Sequence, residues 1–223
     1  MSYTNQIDTD FIPDDTRKIF LVLSDTKFSD DYTLVGGTAL SLQIKHRLSE
    51  DIDLIFDGET LNTTKIKRNI SKLFPNYRII KQDDNYQIDY IIDGVKVTFF
   101  STGAIQIPFK VKDYSFKYHD LNIAELKIIA VLKLAAISER NTIRVYYDLY
   151  FLVKEHICLL DIITTAKELL PNLSPVIYTE TIAFTEDLPE NDISRHLNPS
   201  ENVNKKEISS LFVKELRKIK HLI

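Results

Sequence analysis

The sequence predicts an α/β fold of the α+β kind, a small mixed-sheet core over residues 1–110 followed by a helical domain over 111–223. Three observations predict it. Strand-length apolar runs ending in turn residues recur in the first half: YTLVGG, DIDLIF and the runs on either side of Asp93-Gly94. Between them lie stretches with helical spacing of apolar residues, TALSLQIKH and TLNTTKIKRNISKLF. In the second half the apolar residues recur almost throughout at helical spacing.

Taken in order, residues 10–30 read as an amphipathic helix in which Phe20, Leu21, Leu23 and Phe28 stand among charges. YTLVGG reads as a short buried strand ending in a turn, and Thr38 is placed to cap the helix that follows. DIDLIF is a second strand, closed by Asp57-Gly58, and TLNTTKIKRNISKLF is a basic helix. The segment YRIIKQDDNYQIDYIIDGVKVTFFS forms strands in hairpin arrangement, because Asp93-Gly94 is a strong two-residue turn signal. Beyond it, LNIAELKIIAVLKLAAISER, YYDLYFLVKEH, LDIITTAKELL and NVNKKEISSLFVKELRKIKHLI all have helical patterns. In the last, Ile208, Leu211, Phe212, Leu216, Ile219 and Leu222 make one stripe. PNLSPVIYTETIAFTEDLPENDI is turn-rich and reads as a connection or lid.

A composition of 44% hydrophobic and 27% charged residues is that of a soluble globular protein. No apolar run approaches the roughly 20 residues that span a bilayer, so no membrane partner is expected. The opening MSYTNQIDTDFIPDD is acidic and unlike a secretory signal. The single cysteine, Cys158, cannot form an internal disulfide, which favours a reducing, cytoplasmic setting. A net charge of −4 removes bulk electrostatics as a basis for binding long duplex nucleic acid. Local patches remain: Lys65, Lys67, Arg68 and Lys72 make either a solvated helix face or a contact for an RNA backbone. No Walker loop, dinucleotide glycine fingerprint or zinc-ligand spacing is present, which sets aside P-loop, Rossmann and zinc chemistry.

The stretch LVGGTALSLQIKHRLSEDIDLIF carries the chemistry. Strand alternation puts Asp51 and Asp53 on one face, with Ile52, Leu54 and Phe56 on the other. Two carboxylates so placed can share a hard cation through oxygen; the plainer alternative is a solvent-facing edge strand. Gly36 and Gly37 end the preceding strand where a helix begins, so backbone N–H groups and the helix dipole are offered to a phosphate. Taken alone, the glycines fit equally a tight left-handed turn. Together, a phosphate cradle and a carboxylate pair on the next strand are what nucleotidyl transfer requires. Arg47 is placed to reach a phosphate or to brace Asp51, whereas His46 reads as structural or exposed.

Two lone charges mark the second half. Lys133 interrupts IIAVLKLAAI and Asp148 interrupts VYYDLYFLV. A lysine on an apolar stripe must snorkel to water or pair with an anion. Structurally, Lys133 and Asp148 pair with each other, or Asp148 pairs with Arg144. Functionally, both stand at a cleft facing the strand aspartates, Lys133 on NTP phosphates and Asp148 orienting it or acting as a base.

The motif Gly36, Gly37, Thr38, His46, Arg47, Ser49, Asp51 and Asp53 closely resembles that of the AbiEii/AbiGii toxin nucleotidyltransferases, within the DNA polymerase β-like superfamily. LKLAAISERNTIRVYYDLYFL is similar to the family's K-L-x-A…R…D-x-Y-D-L-Y segment, with Lys133, Arg140 and Asp148 on matching positions. The resemblance implies Mg²⁺-dependent transfer, with Mn²⁺ as a substitute metal, of a nucleotide from an NTP to the 3′ end of a tRNA or to a protein hydroxyl. It also implies the toxin of a toxin–antitoxin or phage-abortive pair, with a cognate antitoxin as partner. On this reading Asp51 and Asp53 are the metal ligands. Gly36, Gly37, Thr38, Arg47, Ser49 and Lys133 bind the NTP, and Asp51, Asp53, Lys133 and Asp148 are catalytic. Two departures stand against it: Thr98 where many relatives have an acid, and Val145 where the family often has Asp. They admit an alternative, a catalytically degenerate nucleotide-binding or protein-interaction module of the same fold.

Overall fold

A computed structural model describes residues 7–83, 85–137, 142–186, 188 and 197–221. Arg140 and Leu222, singled out above, lie outside the described residues. Two compact units divide the chain between Glu125 and Leu126.

The first unit is built on a seven-stranded mixed sheet. Its strands are β1 (Tyr32–Val35), β2 (Ile52–Phe56), β3 (Tyr77–Asp83), β4 (Gln87–Ile92), β5 (Val95–Ser101), β6 (Ser115–Tyr118) and β7 (Leu121–Ala124). They lie in the order β3-β4-β5-β2-β1-β7-β6, with β1/β7 and β2/β5 parallel and the other pairs antiparallel. Asp93 and Gly94 close the β4–β5 hairpin with φ of 45° and 90°, the two left-handed positions of a type I′ turn. One face of the sheet carries Leu34, Ile52, Leu54, Ile88, Tyr90, Val97 and Phe99, all buried. Rings of Phe28, Tyr32, Tyr90 and Phe99 meet there at centroid distances of 5.1 to 6.1 Å. Burial raises the phenols of Tyr32 and Tyr90 well above the ordinary tyrosine range. Helices α1 (Asp14–Ser24), α2 (Gly36–Ile44) and α3 (Thr63–Leu73) add Phe20, Leu23, Leu40, Ile66 and Ile70 to the core of this unit.

Several elements differ from expectation. The helix expected over 10–30 is confined to α1 and flanked by 3-10 turns, Thr9–Phe11 and Lys27–Asp31. Pro13 precedes its first turn, and at its end the hydroxyls of Ser24 and Thr26 donate back to the carbonyls of Leu21 and Val22. Such local bonds compete with continuation of the helix. LNIA, expected as the start of a helix, is strand β7, and with β6 it extends the sheet beyond residue 110. The turn between them is made by His119 at φ 53° rather than by glycine, which hides the hairpin from a turn search. Asn122 on β7 donates to the carbonyls of Asp30 and Tyr32 and fastens the strand in place.

The second unit is helical: α4 (Leu126–Ile137), α5 (Ile143–Phe151) running into a π turn (Leu152–His156), α6 (Leu159–Leu169), α7 (Pro175–Ala183) and α8 (Lys205–Ile219). The segment expected as a connection contains α7, which starts with Pro175 in its first turn, where a missing N–H costs no helical bond. Its Tyr178 and Ile182 are buried. Asn204 and Glu207 form a capping box at the start of α8, whose Ile208, Phe212 and Ile219 are buried. Among the described residues, no helix is long and apolar enough to cross a membrane.

Candidate active site

Sheet register brings the glycines to the aspartates. Val35, the last residue of β1, pairs with Asp53 on β2. Gly36 follows at φ 74°, a conformation that side chains strain to adopt, and α2 begins at once. A Cβ on Gly36 would lie 2.6 Å from Oδ2 of Asp53, and one on Gly37 would lie 2.7 Å from Oγ of Ser49 and 2.8 Å from Nη2 of Arg47. Bare backbone therefore faces a carboxylate at one position and a guanidinium with a hydroxyl at the next. The first turn of α2 adds its N–H groups and partial positive charge.

The loop between α2 and β2 is pinned from several sides. Lys45 ends α2 in the left-handed conformation at φ 55°, and its ammonium, bonded to Asp8, holds that carboxyl below the usual carboxylate range. Ser41 donates to the carbonyl of Arg47 at 2.6 Å, Arg47 Nη1 to the carbonyl of Leu48 at 2.9 Å, and Thr16 to the carbonyl of Glu50 at 2.9 Å. Thr38 does not cap the helix as expected. It is the third residue of α2, because Gly36 lets the helix start directly from the strand, and its hydroxyl donates to the carbonyl of Asp51. His46, Arg47 and Ser49 are buried, Asp51 is exposed and Asp53 is half-buried. Gly36, Gly37, Thr38, Arg47, Ser49, Asp51 and Asp53 are thus brought together in one unit. Asp51 stands just before β2 and Asp53 on it, and Ile52 and Leu54 anchor the strand in the core.

In the helical unit, Lys133 on α4 pairs with Asp148 on α5, Nζ to Oδ2 at 2.5 Å, as the structural alternative anticipated. Lys133 is 8% exposed and Asp148 1%, so the pair is desolvated.

Two further polar groups were not singled out as site residues. Thr98 on β5 is in register with Asp53 on one side and with Asp89 of β4 on the other. Lys81 of β3 pairs in turn with Asp89, so the row Lys81, Asp89, Thr98, Asp53 crosses four strands on one face. Asp89 is buried, accepts a hydrogen bond from Gln87 at 2.7 Å and lies 3.4 Å from the ammonium of Lys96. A signal for it existed: pairing Ile92 with Val95 across the Asp93-Gly94 turn and counting back puts residue 89 opposite residue 98.

The model of a family described as "Nucleotidyl transferase AbiEii toxin, Type IV TA system" matches residues 19–206. An uncharacterized protein of Aquifex aeolicus (strain VF5), aq_aa25, is 31% identical over 165 residues, covering 72% of this chain and 77% of its own. Among solved structures, a candidate nucleotidyltransferase from H. pylori superposes with a TM-score of 0.55 at 19% identity, over 94% of this chain and 96% of the other. JHP933 from Helicobacter pylori gives 0.50 at 20% identity, over 93% and 94%. These two likenesses extend over nearly the whole chain and concern the fold.

Proposed function

Because the chain belongs to the AbiEii family of nucleotidyl transferase toxins, we propose that it transfers a nucleotide from an NTP to a hydroxyl of RNA, the 3′ end of a tRNA, or of a protein, in a Mg²⁺-dependent reaction. The observation that carries the reading is the approach of Gly36 and Gly37 to Asp53, Ser49 and Arg47. On this reading it joins a phosphate cradle to the carboxylates of Asp51 and Asp53.

The donor set suits a hard divalent cation. Asp51 and Asp53 supply carboxylate oxygens, and among the described residues no group of three or more His, Cys, Asp or Glu side chains gathers to hold a metal. Held by Asp51 and Asp53, such a cation would stabilise charge on the α-phosphate and on the departing pyrophosphate. Backbone N–H groups at Gly36, Gly37 and Thr38 hold the phosphates, with Arg47 and Ser49 beside them. From the matching family segment, Lys133 is assigned to phosphate charge and Asp148 to orienting that lysine or accepting a proton. The acceptor oxygen forms a bond to the α-phosphorus as the bond to pyrophosphate breaks. A cognate antitoxin and a cytoplasmic setting complete the reading, on the family membership and the single cysteine.

The test incubates purified protein with Mg²⁺, each α-labelled NTP in turn, and total RNA or total protein. Label transfer that disappears in Asp51→Ala and Asp53→Ala is the expected result. Transfer to neither acceptor with any NTP, or transfer that survives both substitutions, overturns the reading.

A further inference from the structure

The hydroxyl of Thr98 stands out within the first unit. Thr98 is 5% exposed, and its Oγ1 is buried with no hydrogen-bond partner among the described residues. Leaving a buried hydroxyl unsatisfied costs about 1–3 kcal/mol, and in native structures such an atom marks strain, a catalytic role, or a water or ion that completes it. Its neighbours in register are two carboxylates, Asp53 and Asp89, on the same face of the sheet. Strand spacing puts each neighbouring Cα about 5 Å away, and Asp89 about twice that distance from Asp53.

That arrangement gathers no three-group cluster of Asp89 with Asp51 and Asp53 among the described residues, so Asp89 is not a direct ligand in it. It suits an indirect contact. Asp89 is held in place by Gln87 and Lys96, both on the strands that form its hairpin. Its carboxylate is therefore oriented, desolvated and charge-compensated before any ligand arrives.

We propose that Thr98 and Asp89 form the outer shell of the divalent-cation site, hydrogen-bonding the hydration shell of the ion that Asp51 and Asp53 bind directly. This rests on the cation half of the functional reading above. Thr98 gains the partner its hydroxyl lacks, and Asp89 behind it fixes the orientation of the water it meets. Both are positioning residues. They extend the site that Asp51 and Asp53 form without adding a third direct ligand.

Mn²⁺ binding, followed by electron paramagnetic resonance on the full chain without nucleotide, tests this apart from turnover. Removing an outer-shell partner typically weakens metal affinity about 10–100-fold. That loss is expected for Thr98→Val and for Asp89→Asn, whereas Thr98→Ser, which keeps the hydroxyl, stays within about twofold of wild type. Valine matches threonine in shape, and circular dichroism melts verify folding of each variant. Wild-type affinity in both Thr98→Val and Asp89→Asn, with binding lost in Asp51→Ala, overturns the outer-shell assignment and leaves the functional reading standing. No Mn²⁺ binding by the wild type overturns both the outer shell and the cation half of that reading.

Discussion

A methyl group on Gly36 would sit 2.6 Å from Oδ2 of Asp53. Real side-chain carbons do not approach an oxygen so closely, and at φ 74° an L-residue is strained as well. In Gly36→Ala either the strand end or the carboxylate must move. The expected cost is about 1–3 kcal/mol in urea melts. A carboxylate displaced by an ångström is expected to lower label transfer about 100-fold.

Gly37→Ala separates geometry from strain. Its Cβ would meet Ser49 Oγ at 2.7 Å and Arg47 Nη2 at 2.8 Å, the ends of two side chains, and Gly37 carries no positive φ. Both side chains are buried and Arg47 also bonds the Leu48 carbonyl, so making room for the methyl group is expected to cost about 1–3 kcal/mol. On the proposed function, what is lost is their aim at a phosphate. Titration with a non-hydrolysable NTP analogue should show affinity weakened roughly tenfold, the equivalent of one charged hydrogen bond.

The Lys133–Asp148 pair distinguishes a structural role from a chemical one. Lys133→Met leaves Asp148, 1% exposed, without the ammonium that compensates it, at an expected cost of about 3–5 kcal/mol. Adding Asp148→Leu removes the buried charge and should restore most of the stability in urea melts. If the proposed chemical roles hold, label transfer stays lost in this refolded double variant. A double variant that regains transfer with its stability shows the pair to be structural only.

His156, half-buried at the end of the π turn after α5, gives the helical unit a pH dependence. Burial lowers its pKa below 6.5, with Glu155 opposing in part. The unfolded chain therefore binds the proton more readily, and stability rises with pH across this window. The contribution is complete above pH 6.5 and is lost as pH falls from there through the folded value. Urea midpoints measured from pH 7.5 down to 5 should fall less steeply in His156→Gln than in wild type.

Much of the candidate site's placement was legible because it is encoded by close neighbours in the chain. Alternation in DIDLIF puts Asp53 opposite its apolar partners, and Ile52 and Leu54 are fully buried as that pattern requires. Gly36-Gly37 mark the strand-to-helix junction, where φ 74° and two close approaches exclude side chains. Thr38 was misread because threonine at a helix start is usually a cap. Here its partner, the Asp51 carbonyl, comes from the following strand, which no local rule supplies. Strand β7 was misread as helix because a four-residue buried strand carries no visible alternation, all four of its residues being buried.

The sequence by itself determined the alternating strands, the two-residue Asp93-Gly94 turn with its hairpin register, and the glycine and aspartate motifs that share one strand–helix–strand unit. These rest on backbone conformation and side-chain period, which depend on residues a few positions apart. Only the tertiary structure decided that β5 lies parallel beside β2 and so carries Thr98 and Asp89 to Asp53. A helix and two strands intervene between β2 and β5. Which edge the returning strand joins is set by which buried faces fit together, a property of the packed sheet that no local stretch of the chain carries.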